Sequence, residues 1–393
     1  MIALGFACLT LSAVALAVQF TSTGLAAFRC RRKPPAPPPL HRPPVTLVRP
    51  LCGLEHFSRQ TLASTFAIDY PDYEILFCVA EAADPILPLV REAIAAHPGR
   101  DARLLVGDDV IGTNPKLNNM AKGFRHSSFG HIVFVDSNVF TPADYLDQLM
   151  AGLARGAGMM TAPPVGGAPE GFWAELECAF LNSYQARMQY AIDTLGRGFA
   201  QGKTLCFRRA DLDNGGFAQL ASEVAEDAAA TRMMMAKGRR IRLAGPFPQL
   251  IGPRRAAQVW KRQVRWARLR RASFPLFFAP EILAGPVPPL VALIFGLATL
   301  GFAVPAAALA YLLAWYLPEL LLLRLAGWPR SLGPLLLRDL LLPFVFVAGC
   351  AGSRFEWHGK PMTASRQAAV PSRLGRMHPK LIWGRLAGRN PFA

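Results

Sequence analysis

The sequence predicts an α/β domain with a mainly parallel sheet, carried between transmembrane helices at the two ends of the chain. Three observations carry that expectation. The chain opens on an almost uncharged apolar run over 1–28, alternates short β-rich runs with helix-like stretches over 45–271, and turns apolar again past Phe274. Of its 393 residues, 52% are hydrophobic, which suits one soluble domain plus a few spanning helices.

The opening run is followed at once by Arg29, Arg31, Arg32 and Lys33. A cleaved secretory signal carries its positive charge before the apolar core, and here the order is reversed. The positive-inside rule therefore predicts a retained anchor, with the N-terminus outside and the following residues in the cytoplasm. Seven prolines in 34–44 predict an extended spacer, so 29–44 reads as a basic, proline-rich linker.

Within the domain, 45–49, 74–79, 102–106 and 131–135 are the strand candidates, each followed by turn chemistry or a helical pattern. Beyond it, the membrane region 272–352 holds apolar runs at 282–303, 305–325 and 334–351. The first two are long enough to span, whereas Arg338 and Asp339 interrupt the third. Three spans would put the C-terminus outside. The tail 353–393, however, carries eight Lys and Arg against the single acid Glu356, which favours the cytoplasm. The last apolar segment is thus open between a span and a re-entrant or interfacial helix.

Forty-three Lys and Arg against 26 Asp and Glu give a net charge of +17, which calls for an anionic partner. The apolar segments point to lipid head groups and a diphosphate substrate, and away from nucleic acid. Seven scattered cysteines, without a CxxC pair, read as reduced thiols on the cytoplasmic side.

Acids stand where strands end. Asp136-Ser137-Asn138 follows 131–135 directly, Glu81 or Asp84 follows 74–79, and Glu226-Asp227 opens a helical stretch. Ligands of parallel sheets bind at the carboxyl ends of strands. Taken singly, such acids are as often turn, cap or helix-dipole residues. Three in one domain, followed by the basic, tryptophan-bearing segment 261–271, favour a site, although that segment would also serve as an interfacial anchor.

Asn114-Pro115-Lys116-Leu117-Asn118-Asn119, Asp136-Ser137-Asn138, Ala225-Glu226-Asp227 and Arg262-Gln263-Val264-Arg265-Trp266 occur in that order. With Asp69-Tyr70-Pro71 ahead of them and Glu81, or Asp84 three residues on, in the place of the first Asp, they resemble the D, D, D, (Q/R)xxRW pattern of family-2 glycosyltransferases, most closely the ceramide glucosyltransferases and hopanoid-associated glycosyltransferases. The resemblance covers about 45–271. It implies a GT-A-like fold, a UDP-sugar donor, a divalent cation (Mg2+ or Mn2+), and inverting transfer of a hexose, glucose foremost, to a membrane lipid hydroxyl, ceramide foremost. A hopanoid or other lipid acceptor with N-acetylglucosamine, a polysaccharide synthase and an inactive scaffold are the alternatives. The implied location is a multi-pass protein of a bacterial inner membrane with a cytoplasmic catalytic domain.

By the same resemblance, Asp227 is the catalytic base with Glu226 beside it, and Asp136 is the metal ligand. Glu81, Asp84, Lys116, Asn118, Asn119, Asp136 and Asn138 face the donor and its diphosphate. Arg262, Arg265 and Trp266 line the acceptor and diphosphate side. Asn138 stands where many family-2 members have the second Asp of DxD, and Ala228 to Ala230 where relatives have larger residues. Inverting transfer needs a carboxylate to take the acceptor proton and cations against the departing diphosphate, and these residue types supply both.

Overall fold

In the computed structural model, which describes residues 1–31, 41–357 and 360–364, the middle of the chain folds around one sheet. Its strands are β1 (Val45–Leu51), β2 (Tyr73–Val79), β3 (Ala102–Val106), β4 (His131–Val135) and β5 (Met159–Thr161), followed, after the separate short strand β6 (Gly166–Glu170), by β7 (Thr204–Arg208) and β8 (Ile241–Leu243). The order is β3-β2-β1-β4-β7-β5-β8. All pairings are parallel except those of β7, which runs antiparallel to both β4 and β5. The expected α/β domain with a mainly parallel sheet is what forms, and each of the four predicted strands is present.

Continuous apolar runs make these strands because both sheet faces are covered by helices. Successive residues serve opposite faces: Leu47 and Val133 enter one core cluster, while Val48 and Phe134 enter the other. Chain order reverses at β1, with β2 on one side and β4 on the other. A crevice therefore opens at the carboxyl ends of β1 and β4. A further strand, β9 (Gln249–Pro253), pairs in parallel with β6, and Gln249 bridges Val139 just beyond β4.

Three helices, Ile2–Cys30, Val304–Ala326 and Leu332–Cys350, are long and apolar enough to cross a membrane. The span expected over 282–303 takes a different form. Pro286, Pro288 and Pro289 break it, leaving Val287–Thr299 joined to Pro275–Leu283 at a 56° bend. Val287–Thr299 alone is about 20 Å long at about 1.5 Å per residue, against a hydrocarbon core of about 30 Å. Arg338 and Asp339 do not interrupt the last helix. Both are buried, and Arg338 pairs with Glu319 at 2.5 Å and with Asp339 at 2.8 Å. Most of the proline-rich linker and of the basic tail lies outside the described residues.

Candidate active site

The crevice is furnished first by Asp136, which follows the buried run of β4. Its turn is tied down by Arg49, a fully buried guanidinium near the end of β1 that donates to the carbonyls of Asp136 (3.3 Å), Ser137 (3.2 Å) and Val139 (2.5 Å). Those carbonyls hold the charge in place while burial pushes the Arg49 pKa down to about 10.

Lys116 comes from the first turn of helix Pro115–His126. Asn114 caps that helix, accepting from Lys116 N at 2.9 Å and Leu117 N at 3.2 Å, with Pro115 at the first helical position. The same asparagine donates to Glu226 Oε2 at 3.0 Å. The Lys116 ammonium therefore lands between carboxylates, 2.6 Å from Asp136 Oδ1 and 2.6 Å from Glu226 Oε1, and donates to Gly202 O at 2.6 Å. Lys203 closes the other side, at 2.7 Å from Asp136 Oδ2 and 3.3 Å from Asn138 Oδ1. Burial disfavours the Asp136 anion, but the two ammoniums outweigh it and hold its pKa at about 2.

Asp227, in the first turn of helix Glu226–Ala236, is directed the opposite way electrostatically. Burial and the neighbouring Glu226 charge raise its pKa to about 6, against the pull of Lys116 and of two N–H donors, Ala228 N (2.8 Å) and Gly202 N (2.9 Å). One carboxylate is thus locked as an anion, while its neighbour titrates near neutrality, as a proton acceptor should. Gly202 packs closely on the Lys116–Glu226 pair, since a Cβ there would stand 2.8 Å from Glu226 Oε1 and 3.1 Å from Lys116 Nζ and would push those side chains aside.

On the side packed against helix Leu332–Cys350, helix Ala256–Ser273 brings Arg262 against the buried carboxylate of Glu177 and 3.3 Å from Gln249 Oε1. Glu177 also meets Arg254 at 3.3 Å. Arg262 lies over the Trp266 ring at 4.8 Å, and Trp266 packs on Cys178 and Ile251. The Gln249 segment reaches the crevice, since Leu250 N donates to Asn138 O at 2.8 Å. The Arg262 charge also adds to the field that, after burial, lowers the Lys203 pKa.

The other expected site residues lie apart from this cluster. Arg265 stacks over Trp357 at 5.4 Å, and burial, reinforced by Arg262, lowers its pKa to about 10. Asp84 accepts from Gly53 N (2.9 and 3.0 Å) and Ile86 N (2.9 Å), fastening the turns after β1 and β2, while Glu81 is exposed. Asn118 accepts from Ile111 N and Gly112 N, holding the loop before its helix, and Asn119 accepts from Lys122 at 3.4 Å. Lys203, Arg49 and Asn114 were not anticipated as site residues. Nor was Glu177.

The donor set also bears on a cation. Among the described residues no three His, Cys, Asp or Glu side chains gather as metal ligands. Asp136 and Asn138 nevertheless direct two hard oxygens at one point, now filled by the Lys203 ammonium. Such a pair fits Mg2+ or Mn2+, which take one or two protein oxygens and draw the rest from phosphate and water.

The model of glycosyl transferase family 21 matches residues 7–370. The chain belongs to glycosyl transferase family 21. The match runs from the first apolar helix through the sheet domain to the last, so this family-21 chain is a glycosyltransferase; the resemblance to ceramide glucosyltransferases is upheld, with family 21 in place of family 2. Ceramide glucosyltransferase 3 of Caenorhabditis elegans is 25% identical over 327 residues, covering 80% of this chain and 71% of the relative. Ceramide glucosyltransferase 1 of the same organism is 25% identical over 350 residues, 84% and 75% of the two chains. Among solved structures, a mannosyltransferase from Pyrobaculum calidifontis in complex with GDP-Man and Mn2+ aligns with a TM-score of 0.48 at 18% identity, over 85% of this chain and 98% of its own.

Proposed function

We propose that this family-21 chain is an inverting glucosyltransferase, moving glucose from UDP-glucose to the hydroxyl of ceramide at the cytoplasmic face of a membrane. The observation that carries the reading is the pairing of a buried carboxylate poised near neutrality, Asp227, with a carboxylate locked as an anion between two lysines, Asp136. The names of the relatives supply the sugar and the lipid. The catalytic unit is 45–271, with 1–28 as anchor, 29–44 as linker, 272–352 in the membrane and 353–393 as a basic tail.

Asp227 takes the proton of the acceptor hydroxyl as that oxygen bonds to the anomeric carbon. The bond from that carbon to the diphosphate breaks on the opposite face, so the configuration inverts and UDP leaves. Lys116 and Lys203 offer their ammoniums to the departing diphosphate, and Arg262 adds positive charge from the membrane side. A divalent cation, Mg2+ or Mn2+, held by Asp136 and Asn138, would supply further charge neutralisation at the leaving group when bound. Glu226 stays paired with Lys116 and Asn114 and raises the basicity of Asp227.

Small residues after the base do not count against turnover. Ala228, Ala229 and Ala230 are buried, and Ala230 sits in the core beneath the sheet, a packing role that small side chains fill.

The test is to incubate membranes containing the chain with several UDP-sugars and candidate lipids and to identify the product by mass spectrometry. Glucosylceramide is expected. A product carrying N-acetylglucosamine or a hopanoid would replace the proposed substrates, and no glycosylated lipid under any condition would overturn the reading.

A further inference from the structure

Helix Leu332–Cys350 has the length and composition of a membrane span, but its contacts do not follow a crossing path. The direction of the other apolar helices fixes the frame. An added Cβ at Gly5 would touch Thr299 Oγ1, and Ser12 Oγ donates to Pro289 O at 2.7 Å, so Val287–Thr299 runs antiparallel to the N-terminal helix. Val304–Ala326 returns parallel to it, because Tyr311 donates to Ser12 O at 3.3 Å, Gln19 donates to Trp315 O at 3.2 Å, and Leu322 and Leu323 pack on Ala26. That return ends at the domain, where Arg29 meets Asp193 at 2.5 Å.

Leu332–Cys350 starts at the same level and keeps contacts with the domain along its length, while Arg338 and Asp339 at its middle also reach Glu319 and Tyr316 of the preceding helix. Gly333 lies against Phe172, Arg338 donates to Ser183 Oγ at 2.6 Å, Leu342 packs on Leu176 and Val259, and Gly349 lies against Ala267. These partners belong to helices Phe172–Ala179 and Ala256–Ser273 and to the π-helical turn Phe180–Ala186 between them in space, the same elements that carry Glu177 and Arg262. Beyond the helix, Arg271 donates to Gly352 O at 3.0 Å, and Trp357 lies under Arg265. Both ends, and the hairpin that follows, therefore sit on the domain. The outward face is a single stripe of exposed Leu332, Leu336, Leu340, Phe344 and Val347 at helical spacing. Leu276 and Phe277, 86% and 80% exposed, project from the adjoining Pro275–Phe278 turn.

We propose that Leu332–Cys350 lies in the plane of the leaflet facing the domain, its exposed stripe in the acyl chains and its other face on the catalytic helices. The chain then crosses three times, through Ile2–Cys30, through the bent pair Pro275–Leu283 with Val287–Thr299, and through Val304–Ala326. The occupant of the apolar stripe is lipid, because the stripe belongs to a helix of membrane-span composition that is joined to Val304–Ala326 through Arg338 and Glu319, and exposed Leu276 and Phe277 add to the apolar surface. Charge and parity then agree, since the tail with eight Lys and Arg remains on the side of the domain.

Two measurements on the full chain test this, and neither depends on its sugar or acceptor. In a background lacking Cys8, Cys30, Cys52 and Cys350, with the buried Cys78, Cys178 and Cys206 retained, single thiols are introduced as Phe302→Cys, Arg330→Cys, Arg155→Cys and an added C-terminal cysteine. A membrane-impermeant maleimide is applied to sealed vesicles of both orientations. Arg330→Cys and the terminal thiol are expected to label with the domain marker Arg155→Cys, and Phe302→Cys only from the opposite face. Labelling of Arg330→Cys or of the terminal thiol from that opposite face overturns the proposal. In the second measurement, a nitroxide at Leu340→Cys in proteoliposomes is expected to be reached by oxygen at a shallow depth in the acyl chains just below the headgroups. A mid-bilayer depth means a crossing helix, exclusion of both oxygen and water-soluble relaxant means a protein partner, and either overturns it.

Discussion

At the scale of single residues, the candidate site sets two carboxylates apart. Asp136 is held near pKa 2 and Asp227 near 6 by the same buried surroundings, because two lysines face the first and Glu226 faces the second. A base must be ionised to accept a proton, so kcat/KM should rise with pH through about 6 and level off above it. A profile flat from pH 5 to 7, measured with radiolabelled donor (about one unit either side of that pKa), would remove Asp227 from the base position. Lys203→Met deletes a charge-assisted contact worth about 1.5–3 kcal/mol. It should raise the KM for donor and weaken inhibition by UDP by roughly tenfold to a hundredfold, while the protein stays folded. Loss of thermal stability with donor KM unchanged would make Lys203 a structural residue only. Asp136 and Asp227 could be singled out because one follows a strand and the other opens a helix, whereas Lys116 came only with the family resemblance. Lys203 could not be, since it reaches Asp136 only because β7 pairs antiparallel with β4, setting Thr204 opposite Val135, and local sequence does not encode that partner.

Among the elements, the N-terminus of helix Pro115–His126 does the most to assemble the site. Asn114 caps that helix and also grips Glu226, so one residue couples a helix start to the acids of the candidate site. Asn114→Ala should cost about 1 kcal/mol of stability through the lost cap. It should also reduce turnover by more than that loss explains, read as activity per folded molecule. Equal falls in folded fraction and in activity would limit Asn114 to capping. The strands β1 to β4 were readable as short runs rich in Val, Leu, Ile and Phe. β5 and β8, at three residues each, are too short for any period to emerge. The span expected over 282–303 takes a bent form for a local reason, because its prolines shorten the helix that composition alone would extend and leave it as one arm of a bent pair.

Over the whole molecule, catalytic domain and membrane helices are joined by buried charge. Arg338 and Glu319, one on each of the last two apolar helices, pair at 2.5 Å, and Arg338 also reaches Ser183 beside the Glu177 helix. Removing one partner leaves the other buried and unpaired, at a cost of about 3–5 kcal/mol. Arg338→Met should therefore lower the melting temperature of the detergent-purified protein, and the double variant Arg338→Met with Glu319→Met should recover part of the loss. No recovery would mean that the pair does not act as a unit. Paired charge of this kind is hidden from sequence reading, which sees only an interruption in an apolar run.

The most direct measurement compares the wild type with Asp227→Asn for glucose transfer to ceramide and, on the same preparations, for UDP-glucose binding. The account predicts turnover lowered by about two to four orders of magnitude, the contribution of a positioned general base, with donor affinity nearly unchanged. Turnover at the wild-type rate in the variant would contradict it.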